Sequence, residues 1–410
     1  MALQKTQNEE FNDLLSSGLP NNQVVPQRCS FASSSLLHRI WKRSESLFCS
    51  GVFLKGSALG VGLWNPKKGI RAIMMAIVLF LDVYYIFDAV YYAFLCKRLV
   101  TPLNSWFCGN STLNSSSSLL SPTDTLQRVE LLGILSLVAN FAILISNAAF
   151  FLCMWKLEGR SAYCVTIDKA YSSAGRSVWV KLNCSMFIFG IFLLIKVIWF
   201  NLTFEEKLTD CLSVSLSIAP QWAVLTSSWI FALITNAMRD CVAKSHAEIR
   251  TATGCTTDDI IRIHKRLCEQ MSSTSESLKI WFVLHWFLLA IVAVIFVANM
   301  VSFFKYTTNW YFFYQSILVS LTYLYVFVYP SYCAASVTAS CNRMLKQLNM
   351  TTDDEWQTGH PFHSRSQLTL FLQYAQHTNV GFQVGDLTSG TSFAWFSTLI
   401  SMCGLGVKVL

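Results

Sequence analysis

Long apolar runs, separated by short polar and often basic connections, make up most of this chain. Read at the helical rise, they predict seven membrane-spanning helices. These are Ile70–Cys96, Val129–Trp155, Leu182–Phe204, Leu212–Asn236, Ile280–Phe304, Tyr311–Ser340 and Gly390–Leu410. Each matches or exceeds the ~20 apolar residues that cross a ~30 Å hydrocarbon core. The third and fourth, split by EEKLTD, read as a helical hairpin. Leu47–Leu63 is mildly apolar but holds Lys55 and four glycines, and reads as an interfacial or re-entrant lead-in.

The polar intervals then divide the chain. Residues 1–69 form an N-terminal region, 70–236 hold the first four spans, and 237–279 form a helical connection. Residues 280–340 hold the fifth and sixth spans, 341–389 a loop and a further helix, and 390–410 the last span. In Arg239–Ser277, Ile249, Ile260, Ile263 and Leu267 recur near helical spacing, so the fourth and fifth spans are expected to continue beyond the membrane. TTDDEWQTGHPFHSR reads as a disordered loop. Ser366–Leu387 follows as an amphipathic stretch carrying Leu370, Phe371, Tyr374, Phe382 and Val384.

Composition agrees with a multi-span membrane protein. Of 410 residues 53% are hydrophobic and only 13% charged, against roughly a quarter charged in soluble domains. The net charge of +8 lies in alternate loops rather than on one surface, so it reads as topology and not as a nucleic-acid site. Lys5, Arg28, Arg39, Lys42, Arg43, Lys55, Lys67 and Lys68 precede the first span. The second, fourth and sixth loops are similarly basic, whereas the odd-numbered loops hold few cations. By the positive-inside rule the N-terminus and even-numbered loops are cytoplasmic and the C-terminus is extracellular. The polar N-terminal stretch lacks the apolar core of a secretory signal, so the first span is expected to direct insertion.

That orientation places the sequons at Asn110 and Asn114 outside, where glycosylation is expected, and those at Asn183 and Asn349 inside, unmodified. Asn201 begins a further sequon at the outer end of the third span. Of fourteen cysteines only Cys108 and Cys211 fall in opposite-face loops; they form either a disulfide or two free thiols. No CxxC or HExxH spacing occurs, and neither a metal nor another cofactor is implied. No nucleophile–base constellation marks an enzyme.

Ionisable residues inside spans are a further signal. At 1.5 Å per residue, Asp82 lies about 18 Å and Asp88 about 27 Å along the first span, and Lys196 about 21 Å from the inner end of the third. A charge near the bilayer centre costs about 2.5–3.5 kcal/mol, so these groups are expected to face protein or water. Together with Tyr84, Tyr85, Tyr91 and Tyr92 they outline a polar ligand pocket; a structural ion pair between helices is the competing reading. Trp222, Asn140 and Asn147 are further pocket candidates, while His285 reads as structural and cytoplasm-facing. In the last span Ser397, Ser401 and Gly404 form a small, polar stripe, which suits either a pore lining or close helix packing.

Three blocks resemble the insect gustatory and odorant receptor superfamily. LGVGLWNP is similar to its LGLxP-type entry, VYPSYCAASVTASCNRML to its small-residue exit from the sixth span, and LTLFLQYAQHTNVGFQVGDL to its penultimate block. The last span has no copy of the TYxxxxxQF pattern common there, so the chain resembles a divergent, gustatory-receptor-like member. The resemblance implies a plasma-membrane chemosensory receptor, of a superfamily that serves taste and smell. It implies a ligand-gated, non-selective cation channel opened by a small molecule, as a homotetramer or a hetero-oligomer with related subunits. In such channels the last spans line a central pore, the helices before them anchor the subunits, and the ligand sits in an outward-facing pocket. The alternatives from other classes are an atypical seven-transmembrane receptor and a transporter or non-conducting membrane protein. Against the first stand the inverted loop charges and the lack of NPxxY and DRY-like motifs, and against the second the lack of an internal repeat.

Overall fold

The computed structural model describes residues 50–64, 67–90, 122–160, 164–203, 218–252, 256–306, 310–350, 352, 354, 356, 360–378 and 381–382, without the side chains of 88–89, 122–136, 199–203, 295–306 and 310–316. The chain divides after Ser46, and all described residues belong to the second unit, Leu47–Leu410. Every regular element among them is a helix: α1 Val52–Gly60, α2 Lys68–Val90, α3 Pro122–Gly159, α4 Ile167–Ser173, α5 Arg176–Thr203, α6 Ile218–Thr251, α7 Thr257–Tyr306, α8 Trp310–Asn349 and α9 Arg365–His377.

Six of these helices are long and apolar enough to cross a membrane. The seventh expected span, with Ser397, Ser401 and Gly404, lies outside the described residues, as do Tyr92, Cys108, Asn110, Asn114 and Cys211. A lipid-facing surface is written on α2. Ile70, Ile73, Ile77, Phe80, Tyr84 and Phe87 are all exposed and follow one another at steps of three and four. Phe187, Ile191, Leu194 and Ile198 repeat this on α5. Stripes of this size on a water-facing surface would be association sites; against acyl chains they are the favoured arrangement.

Helix α6 is the axis of the bundle, meeting every other helix from α1 to α8. Its segment from Ala223 to Thr235 is buried throughout. Its Thr226, Ser227, Ser228 and Thr235 hydroxyls donate to carbonyls three or four residues back, so the helix can be buried all round as a central position requires. The expected continuations are present: α6 runs on to Thr251, and α7 starts at Thr257, well before its apolar stretch. The ends of α6, α7 and α8 meet α9 in a second apolar cluster of Ile249, Ile260, Leu348, Phe362, Leu368, Phe371 and Ala375.

Two expectations change here. The stretch read as disordered is packed at its end: the Trp356 and His360 rings stack at 3.8 Å, and Phe362 lies beneath them against Phe371 at 5.2 Å. The amphipathic helix is shorter than Ser366–Leu387. Ser364 caps it by accepting from the Gln367 amide at 3.3 Å, and it stops at His377. Beyond it Gly381 takes a positive φ of 153°, and its Cα passes so close to Thr338 that a Cβ would sit 2.9 Å from Oγ1. Phe382 then enters the main core between Phe231 and Phe282, at 5.4 and 5.1 Å. Leu370, expected on the apolar face, instead points outward.

The lead-in is a short helix folded onto the bundle. Leu54 and Ala58 of α1 are fully buried, and Ser57 meets Thr226 of α6 at 2.7 Å. Gly62 has φ 77°, and a Cβ there would lie 2.7 Å from the Met75 nitrogen, so only glycine lets this turn approach α2. Trp64 donates to Asp168 of α4 at 2.9 Å, and Lys55 lies 5.1 Å over its ring.

Candidate functional site

The polar groups inside the bundle collect around the first turn of α6. Asp82 of α2 is buried and accepts from Nδ2 of Asn147 on α3 at 3.1 Å. The other proton of that amide goes to the Pro220 carbonyl at 3.3 Å. One residue along, Gln221 accepts from Lys196 Nζ of α5 at 3.2 Å. Trp222 follows, with its ring against Trp229 at 5.3 Å and against the bare face of Gly190. Adjacent residues of one turn thus gather Asp82 and Lys196, which the sequence placed at similar depth on different helices. Each is reached through an amide rather than by direct pairing: a buried polar group in an apolar surround needs such a partner. Asn140 is buried about two turns before Ser146 and Asn147 on α3, and its Nδ2 has no hydrogen-bond partner. Tyr85 is half-buried on α2, whereas the Asp88 side chain lies outside the described residues.

Deeper in the bundle, two connected nodes were not visible in the sequence. Tyr325 of α8 and Ser185 of α5 share a hydrogen bond of 2.6 Å, and the Trp229 indole of α6 donates to both at 3.0 Å. The second node follows from a proline. Pro330 inside α8 has no N–H, so the Val326 carbonyl, four residues earlier, loses its helical donor. His285 of α7 replaces it, with Nε2 at 2.9 Å from that carbonyl. A carbonyl only accepts, so Nε2 carries the proton, and Nδ1 is left to accept from the Ser146 hydroxyl at 2.7 Å. His285 therefore ties α3, α7 and α8 together from within the core. It is structural, as expected, but fully buried rather than cytoplasm-facing. The signal that could have located it is the proline itself, which announces an orphaned carbonyl one turn back.

At the polar end of α7, among Arg262, Lys265, Arg266 and Glu269 and outside its apolar stretch, His264 is buried against the α9 rings of Phe371 and Tyr374 at 5.4 and 5.6 Å. Its Nδ1 contacts Cys268 Sγ at 3.4 Å and its Nε2 has no partner, so burial pushes its pKa down to about 4.

The comparisons with known proteins bear on this architecture. No family model matches the chain, and no curated protein matches its sequence. Among solved structures, it is similar to the insect olfactory receptor OR5 from Machilis hrabei in complex with eugenol, at 10% identity and a TM-score of 0.53. The match covers 88% of this chain and 97% of that one. The chain has the fold of an insect olfactory receptor, with every regular element among its described residues a helix and six of these long and apolar enough to cross a membrane.

Proposed function

We propose that this protein is a gustatory-receptor-like chemosensory receptor of the plasma membrane, acting as a ligand-gated, non-selective cation channel. The observation that carries the reading is a fold likeness running nearly end to end with a receptor solved around a small organic molecule. The chain enters from the cytoplasm, and Asn110 and Asn114 lie outside and carry sugar. Asp82, Tyr85, Asp88, Tyr92 and Lys196 line the ligand pocket, above the turn of α6 where the structure gathers Asp82 and Lys196. Four subunits, identical or related, place their last spans about a central axis, with Ser397, Ser401 and Gly404 facing the pore. The α9 cluster holds those subunits together on the cytoplasmic side.

The test is electrical. Cells expressing the protein are exposed to a panel of small volatile and soluble organic compounds while whole-cell current is recorded. A ligand-evoked cation current that Ser401→Trp abolishes, with surface expression unchanged by biotinylation, is the expected result. Surface-expressed protein that passes no current with any compound, or a current that Ser401→Trp leaves intact, overturns the channel or its pore face respectively.

A further inference from the structure

Lys68 and Arg71 lie one turn apart at the start of α2, and Trp155, Glu158 and Gly159 stand opposite them at the end of α3. These five residues line a pocket of about 330 Å³. It lies at the basic end of the bundle, beside Lys156 and Arg160.

Arg71 is an unusual wall. Its side chain is only 2% exposed, its Nη1 pairs with Glu158, and its guanidinium lies 5.8 Å from the centre of the Trp155 ring. Its Nε and Nη2 have no partner. These two atoms form one planar edge of the guanidinium, whose parallel N–H bonds match two oxygens of a phosphate or carboxylate. Glu158 offsets one positive charge, and exposed Lys68 restores a net positive pocket. The walls beside the pocket are apolar and exposed: Ile70 and Ile73 on α2, Leu152 and Trp155 on α3. A charged recess opening between lipid-facing stripes suits a molecule with an anionic head and apolar tails. The volume lies at the lower end of small-molecule sites, enough for a phosphate and part of a polyol.

We propose that this pocket binds the phosphate-bearing headgroup of an anionic membrane lipid, held side-on by Arg71, with Lys68 at the mouth and acyl chains along Ile73 and Leu152. The site is separate from the α6 turn and stands whether or not the protein conducts.

Full-length protein in a neutral detergent is titrated with dioctanoyl phosphatidylinositol 4-phosphate, dioctanoyl phosphatidylcholine, inositol 1,4-bisphosphate and inorganic phosphate, and thermal unfolding is followed. The anionic lipid is expected to raise the Tm saturably, phosphatidylcholine is not, and added salt weakens the effect. Lys68→Gln, on the surface, should reduce apparent affinity at least fivefold. The paired change Arg71→Gln with Glu158→Gln, which leaves neither charge orphaned, should remove binding. A response to the soluble phosphates equal to that of the lipid, lost in the same variants, upholds the anion site and assigns it a soluble ligand. Equal responses to both lipids, or unchanged affinity in Lys68→Gln and in the paired variant, overturn the proposal.

Discussion

Pro330 and His285 show how one side chain sets the requirements of another. A proline in mid-helix costs a backbone bond and leaves a carbonyl that must find another donor. In α8 that donor is a histidine from α7, itself oriented by a serine from α3. His285→Phe keeps the ring but leaves the Val326 carbonyl and the Ser146 hydroxyl without their partner, at a cost of about 1–3 kcal/mol. Pro330→Ala returns an N–H to α8, so His285→Phe should be much milder in that background. Thermal unfolding of the two single variants and the double variant in detergent measures the coupling; additive losses would dissolve the node. The sequence displayed Pro330 and His285 separately, and loop charge placed His285 near a membrane face. What could not be read was the rotation of α7, which turns that ring inward.

Among the elements, α9 was legible as an amphipathic helix but not in its facing or its length. Three inward positions, Leu368, Phe371 and Ala375, seat it on the ends of α6, α7 and α8. Of these, Ala375 adds little to a hydropathy count, whereas Leu370, prominent on such a count, points outward; Val384 lies outside the described residues. The aromatic pair Trp356 and His360 escaped because a polar, acidic run conceals residues that pack only against distant helices. This cluster also holds a titratable group. His264 meets Phe371 and Tyr374 from α9 and Cys268 from its own helix, and its pKa is lowered to about 4 from an ordinary 6.5. Between those values the unfolded chain binds a proton that the folded chain refuses, so the packing contributes fully above about pH 6.5 and weakens as pH falls towards 4. Protection factors along α9, corrected for the slower intrinsic exchange at low pH, should therefore fall on acidification from pH 7 to pH 5. His264→Phe should flatten that dependence; an equal fall in the variant would assign it to other groups.

At the scale of the molecule, apolar run length was enough to locate six helices, because lipid demands both the composition and the length. Their packing order was not: that α6 is central follows from contacts no periodicity reveals. The same distinction bears on what remains exposed. The uncovered rings and branched chains of α2 and α5 have acyl chains as their solvent. Leu370 does not share that explanation. It is 64% exposed on a helix whose neighbouring outward positions, Gln373 and His377, are polar, at the end of the bundle where the second apolar cluster lies. Met350, just past α8, is exposed at the same end. Exposed apolar residues beside a packed cluster favour cover by another chain, and in the receptor-channel proposed above that chain is a further subunit. On the tetramer proposed above, Leu370→Glu should leave the Tm of the isolated subunit nearly unchanged, since nothing buried is touched, yet shift particle mass in lipid nanodiscs from four copies towards one. Phe371→Glu, one position along and fully buried, should instead unfold α9. Retention of four copies by Leu370→Glu would mean that the subunits are held elsewhere, and the last spans would be the next place to look.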